Sequence, residues 1–121
     1  MKLWIPALPR MPNESRGLHW SHVKRERDRF GLLVLEALQN AGTRPHYLRA
    51  RATFTRVSVA REEPDRDNLA ASFKPVIDGL VRVAVIPDDK PSILDATFAW
   101  ERSPRRDGQG VRIEITSIDS A

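Results

Sequence analysis

The chain has 121 residues, enough for one domain with a real core but modest in the fraction of surface it can bury. Its 40% hydrophobic content argues for a globular fold, no apolar run is long enough to span a membrane, and the lack of cysteine excludes disulfides and thiolate zinc sites. Twenty Lys and Arg against sixteen Asp and Glu leave a charge of +4, the electrostatic footprint of a polyanion partner, of which nucleic acid is one kind.

The amino-terminal apolar stretch is too short for a secretory signal, so the cytoplasm is the expected compartment. KLWIPAL then reads as a short strand that Pro6 places at an edge or ends early. A Pro-rich connector, PRMPNESRG, follows. Ser21 is the expected cap of a helix running to about Ala41, with Gly42 as its stop. Val23, Phe30, Leu33, Val34, Ala37, Leu38 and Ala41 recur at helical spacing and form its apolar face, while its first half carries Lys24, Arg25, Arg27 and Arg29. His19 and Trp20 are expected to pack at its start. The i, i+3 pair His19 and His22 lacks the partners a zinc site needs.

LRARATFTRVSVA (residues 48–60) reads as a long strand, with Arg49, Arg51 and Arg56 spaced along it. A second helix is expected from residue 68 to about 82. Leu69, Phe73, Val76, Ile77 and Leu80 form its apolar stripe, and Asp67 (a natural N-cap), Lys74 and Asp78 fall opposite, within about 40° of one another. Pro75 removes a backbone donor and kinks this helix. DATFAWER and GVRIEITSI read as a hairpin across SPRRDGQG, with Val111, Ile113 and Ile115 alternating toward the core. The order β-α-β-α-β-β defines an α+β fold: one domain over residues 1–121, with a small mixed β-sheet packed against two helices.

Two acidic pairs flank the second helix, Asp65 with Asp67 before it and Asp88 with Asp89 after it. Taken singly, each has a local explanation, because Asp favours caps and turns. Taken together they ask whether they meet. A helix of about 15 residues is roughly 22 Å long. An extended return along VAVIPDD covers about 20 to 23 Å, so the second pair can just come back beside the first, or join it across a dimer interface. Gathered carboxylates repel one another and raise their own pKa values unless a cation or paired bases offset them. Hard oxygen donors without sulfur suit Mg²⁺ or Mn²⁺. No serine-histidine or cysteine nucleophile constellation and no glycine-rich phosphate loop is visible.

DRDNLAASFKPVIDGL followed by VIPDD resembles the RusA-like Holliday-junction resolvases, endonucleases found largely in prophages and bacterial genomes. Asp65, Asp67 and Asn68 match the opening of the family pattern, Lys74, Asp78 and Leu80 its middle, and Asp88 and Asp89 its end. The connector PNESRGLHW and the element order are also similar, so the resemblance covers the whole chain, read as a single RusA-like endonuclease domain. Two departures stand out. Some members place the lysine about one turn earlier than Lys74, and the family tends to carry glycine where this chain has Ala84, which would end the helix without a left-handed residue.

The resemblance implies Mg²⁺-dependent (or Mn²⁺-dependent) hydrolysis of DNA phosphodiesters at a four-way junction by a homodimer with one site per subunit. Under it Asp65, Asp67, Asp88 and Asp89 are the metal residues, with Asp88 a ligand or an outer acceptor. Asp65, Asp67, Lys74 and Asp89 are the catalytic set, Lys74 offsetting charge on the phosphoryl oxygens. Lys24, Arg25, Arg27, Arg29, Arg49, Arg51, Arg105 and Arg106 are candidate DNA contacts, with Arg56 and Arg102 beside them. The alternative is a dimer of the same fold that binds branched DNA without cutting it.

Overall fold

A computed structural model describes residues 1–12, 17 and 20–118. Its elements are β1 (Lys2–Ile5), α1 (Trp20–Ala41), β2 (Ala50–Ser58), α2 (Arg66–Ser72), α3 (Lys74–Arg82), β3 (Leu94–Arg102), a short 3₁₀ turn (Arg106–Gly108) and β4 (Gly110–Ser117). The four strands make one mixed sheet in the order β1-β4-β2-β3, so the fold is α+β. β1 is an edge strand, ending where Pro6 begins, as its sequence implies. No helix among the described residues is long and apolar enough to cross a membrane.

The expected hairpin does not form. β3 pairs in parallel with β2, whereas β4 inserts antiparallel between β1 and β2. The reason lies in burial. Val111, Ile113 and Ile115 are fully buried, and the central position flanked on both sides by strands suits that apolar row better than an edge. β3, with charged Asp95, Glu101 and Arg102 exposed, takes the edge instead.

One face of the sheet meets the helices. Leu3 and Ile5, Ala50, Ala52 and Phe54, Leu94, and the β4 row pack there against Phe30, Val34, Leu38, Leu69, Phe73, Val76 and Leu80. The opposite face carries the ion pairs Arg51–Asp95 and Arg112–Glu101. The apolar stripe expected for the second helix is therefore correct, Ile77 being its partly buried member. The stripe of α1 is correct only in its middle: Val23 is 51% exposed and Ala41 is exposed, and Trp20 at the start of the helix is 68% exposed. The early turns of α1 extend past the core cluster, which this helix enters only from Phe30 onward. His19 lies outside the described residues, and so does most of the connector resemblance. Ser21 sits inside α1 rather than capping it.

Each long helical segment ends in the same hydrogen-bonded turn. At the end of α1, Gly42 has φ +69° and the Gly42 and Thr43 N–H groups bond back to the carbonyls of Gln39 and Leu38. At the end of α3, Ala84 takes that place with φ +63°, and the Ala84 and Val85 N–H groups bond to Val81 and Leu80. The missing glycine thus does not remove the left-handed residue. Alanine adopts it, because the two capping bonds and the buried Val85–Leu80 pair hold it there.

Candidate functional site

All four acidic residues of the pattern lie in the connection that carries the chain from β2 across to β3. Asp65 is extended (φ −64°, ψ 155°), as an N-cap residue is, and Asp65, not Asp67, is the N-cap of α2. Its Oδ1 accepts from the Asp67 and Asn68 N–H groups, and its Oδ2 accepts from the Asn68 side-chain amide at 2.7 Å. Asp67 consequently falls in the first turn of α2, where a negative charge is favourable, and its carboxylate has no hydrogen-bond or ion-pair partner among the described residues.

The expected single helix is two. It breaks at Phe73, which closes α2 and opens α3, with Pro75 in the first turn of α3 where its missing N–H costs nothing. The break is stable because Phe73 is fully buried and stacks on Phe98, with ring centroids 5.4 Å apart. Lys74 therefore begins a new helix. Its Nζ lies 3.6 Å from Asp78 Oδ1, an i, i+4 pair on the exposed side of α3.

The return to the second acidic pair is not extended. After Ala84, the buried Val85 and Ile86 tuck into the core and the chain turns at Asp88. Asp88 Oδ1 accepts from the Asp89 and Lys90 N–H groups at 2.7 and 3.3 Å, and Lys90 Nζ stands 3.7 Å from Asp88 Oδ2. The Asp89 side chain first, then the Asp89 backbone N–H, hold the Asp88 carboxyl below the usual carboxylate range.

Asp67, Lys74 and Asp89 border one cleft of about 590 Å³, set between the helices and the first half of β3, with Leu94, Ala96 and Phe98 in its wall. Lys74 and Asp89 also border a second cleft of about 550 Å³, together with Asp78, Arg27 and Arg82. Asp65 and Asp88 line neither; their oxygens are engaged in their own turns. Among the described residues no three carboxylate or histidine side chains gather as a metal cage. The oxygen donors facing the shared cleft are thus Asp67 and Asp89. Both are hard oxygen donors, the type Mg²⁺ takes, an ion commonly held through one or two carboxylates while keeping several waters.

Of the basic candidates, Arg27 alone reaches these clefts. Lys24, Arg25 and Arg29 are exposed along α1, and Arg29 lies over the Phe30 ring at 5.8 Å. Arg49 donates through Nε to the Ser92 carbonyl at 3.1 Å, and Arg51 pairs with Asp95 at 3.0 Å. Arg105 pairs with Asp107, while Arg102 and Arg106 are exposed beyond the cleft walls. Arg56 is not a surface residue: it is 6% exposed and donates to the Pro9 carbonyl at 2.6 Å. The even-numbered side chains of β2 face the helices, which puts Arg56 inward. Arg82, held by Asp28 at 3.0 Å, is a cleft residue that no sequence motif marked.

No protein-family model matches the chain, and no curated protein is significantly similar to it.

Proposed function

We propose that this protein is a divalent-metal-dependent endonuclease acting in the cytoplasm on branched DNA, of the RusA-like junction-resolving type, and that it works as a homodimer. The observation that carries the reading is the shared cleft, which Asp67 from α2, Lys74 from α3 and Asp89 from the loop before β3 all line although 21 residues lie between the first and the last. The joint sequence pattern and the basic charge support it.

Asp67 and Asp89 would hold Mg²⁺, with Asp65 and Asp88 fixing the two turns that present them. When bound, the ion supplies Lewis-acid polarisation of the phosphate and a water of lowered pKa. The residues of the chain do the rest. Lys74 lines the same cleft as both carboxylates, where an ammonium offsets negative charge on a phosphoryl oxygen. Asp78 draws Lys74 toward α3 and keeps it oriented. Arg27, exposed and across the second cleft from Asp89, is placed to contact the flanking phosphate backbone. Two equivalent sites related by two-fold symmetry suit paired cuts at a branch point.

Asp67→Asn tests this directly. Incubated with a four-way junction and Mg²⁺ or Mn²⁺, the variant should retard the DNA on a gel as wild type does and yield no nicked product. Cleavage at the wild-type rate would remove Asp67 from the site. A second reading, a binder that does not cut, is favoured by one observation: two rather than three carboxylates face the cleft among the described residues. A wild-type protein that binds the junction but leaves it intact with either metal would establish that reading.

A further inference from the structure

We propose that His46 and Arg49 are positioning residues for the acidic loop that spans residues 84–93, each holding one of its backbone carbonyls. The catalytic consequence rests on the nuclease reading; the structural one does not. Because β2 and β3 are parallel and Ala50 stands opposite Leu94, the segments leading into the two strands run side by side. Four hydrogen bonds join them. His46 Nδ1 lies 2.6 Å from the Ala84 carbonyl oxygen, and the Tyr47 N–H donates to Val85 at 2.8 Å. Arg49 Nε donates to the Ser92 carbonyl at 3.1 Å, and the Ala50 N–H to Ile93 at 2.8 Å.

Any residue but proline supplies the two backbone bonds. The two side-chain bonds need these residues, and they fall at opposite ends of the stretch that carries Asp88 and Asp89. A carbonyl oxygen only accepts, so His46 is the donor and its proton is on Nδ1. Its acceptor belongs to the left-handed Ala84, the one non-glycine residue with positive φ among those described. His46 therefore secures the turn least favoured by its own sequence. At the other end Arg49 fixes Ser92, next to Ile93, whose N–H together with that of Leu94 bonds to Lys90. Between the two ties Val85 and Ile86 are anchored in the core, which leaves Asp89 little freedom at the cleft rim. His46 and Arg49 are themselves exposed, so core packing does not account for them. A displacement of about 1 Å at a catalytic group costs on the order of 10²-fold in rate.

The test compares wild type, His46→Ala, His46→Asn and Arg49→Lys. Amide hydrogen exchange is followed over residues 85–94, and junction binding and Mn²⁺-supported cleavage are measured on the same samples. Asn places an amide N–H where the Nδ1–H stands, so His46→Asn should match wild type. His46→Ala and Arg49→Lys should speed exchange at Asp89 and Lys90 about tenfold, lower kcat by about 10- to 100-fold and leave junction affinity unchanged. Lysine keeps the charge of Arg49 but not its Nε fork, so a simple phosphate contact would survive that change in turnover as well as binding. Unaltered exchange in both variants overturns the clamp. Faster exchange with undiminished turnover overturns the positioning role. A wild-type protein that binds and does not cut removes the nuclease reading on its own, and the exchange measurement then decides the clamp alone.

Discussion

Ala84→Gly should stabilise the protein, which is the reverse of what most substitutions do. With φ +63°, Ala84 sits in the left-handed region, where an L side chain brings Cβ against the following carbonyl at a cost of roughly 1–2 kcal/mol. Glycine removes that cost. Against it stands the greater backbone entropy of glycine in the unfolded chain, about 0.4–1 kcal/mol. Ala84 is exposed and buries no methyl group of consequence, so no packing term is lost. The net gain is about 1 kcal/mol, and for a domain of this size about 4 °C in Tm. Urea unfolding at 25 °C measures it, as a rise in midpoint with unchanged slope. Gly42→Ala is the mirror experiment: the same turn with φ +69°, and open space where the Cβ would go, so it isolates backbone strain with the opposite sign. If Ala84→Gly proved neutral or destabilising while Gly42→Ala cost about 1 kcal/mol, the account of the α3 terminus would be wrong.

Three further outcomes follow from the same coordinates. Gly110→Ala should fold poorly or lose more than about 2 kcal/mol, because its Cβ would stand 2.6 Å from the Trp4 ring and closer still to the Ile5 carbonyl; chemical denaturation reads this directly. Lys74→Ala should change stability by less than about 0.5 kcal/mol, the ammonium that pairs with half-buried Asp78 being itself 71% exposed, yet lower junction cleavage by about 10²-fold with binding retained. The lowered Asp88 pKa means that the unfolded chain takes up this proton first as pH falls. Its contribution is therefore complete above about pH 4 and is lost as pH drops through the lower folded value, a decline that Asp88→Asn should remove from a stability-versus-pH profile.

The sequence made the alternating core legible because alternation is local: the β4 row and the helical stripe of Leu69, Phe73, Val76 and Leu80 are set by neighbours within a few residues. The break at Phe73 was half visible through Pro75. What decided its position was the Phe73–Phe98 stack, a contact between residues far apart in the chain. The hairpin expectation failed for a related reason. A turn-rich segment between two strands looks the same whether they pair or straddle a third. With the parallel pairing unseen, the adjacency of His46 and Arg49 to the acidic loop had no signal at all. Arg49 read as a phosphate contact because a lone arginine on a strand shows its charge but not its partner. Arg56 was misjudged through strand parity, since the apolar residues that share its face begin upstream at Ala50.

Within the acidic pattern the structure separates two kinds of carboxylate. Asp65 and Asp88 each fold a turn, accepting backbone N–H groups from the residues just after them. Asp67 and Asp89, which those turns orient, face the common cleft. A spacing of one residue in the first pair and none in the second serves the same end, because a helix start and a tight turn each use one acid to close while the next one lines the cleft. On the proposed reading, two of the four acids would face the ion and two would hold the turns that carry them. Two carboxylates around Mg²⁺ leave most of the coordination shell to water and to phosphate oxygen, so the geometry of the reacting group would depend less on an enclosing cage than on how firmly each turn is held. That places the burden on the β2–β3 lead-in, which fixes the loop of Asp89 from both ends, and on the Asp65 cap, which fixes Asp67.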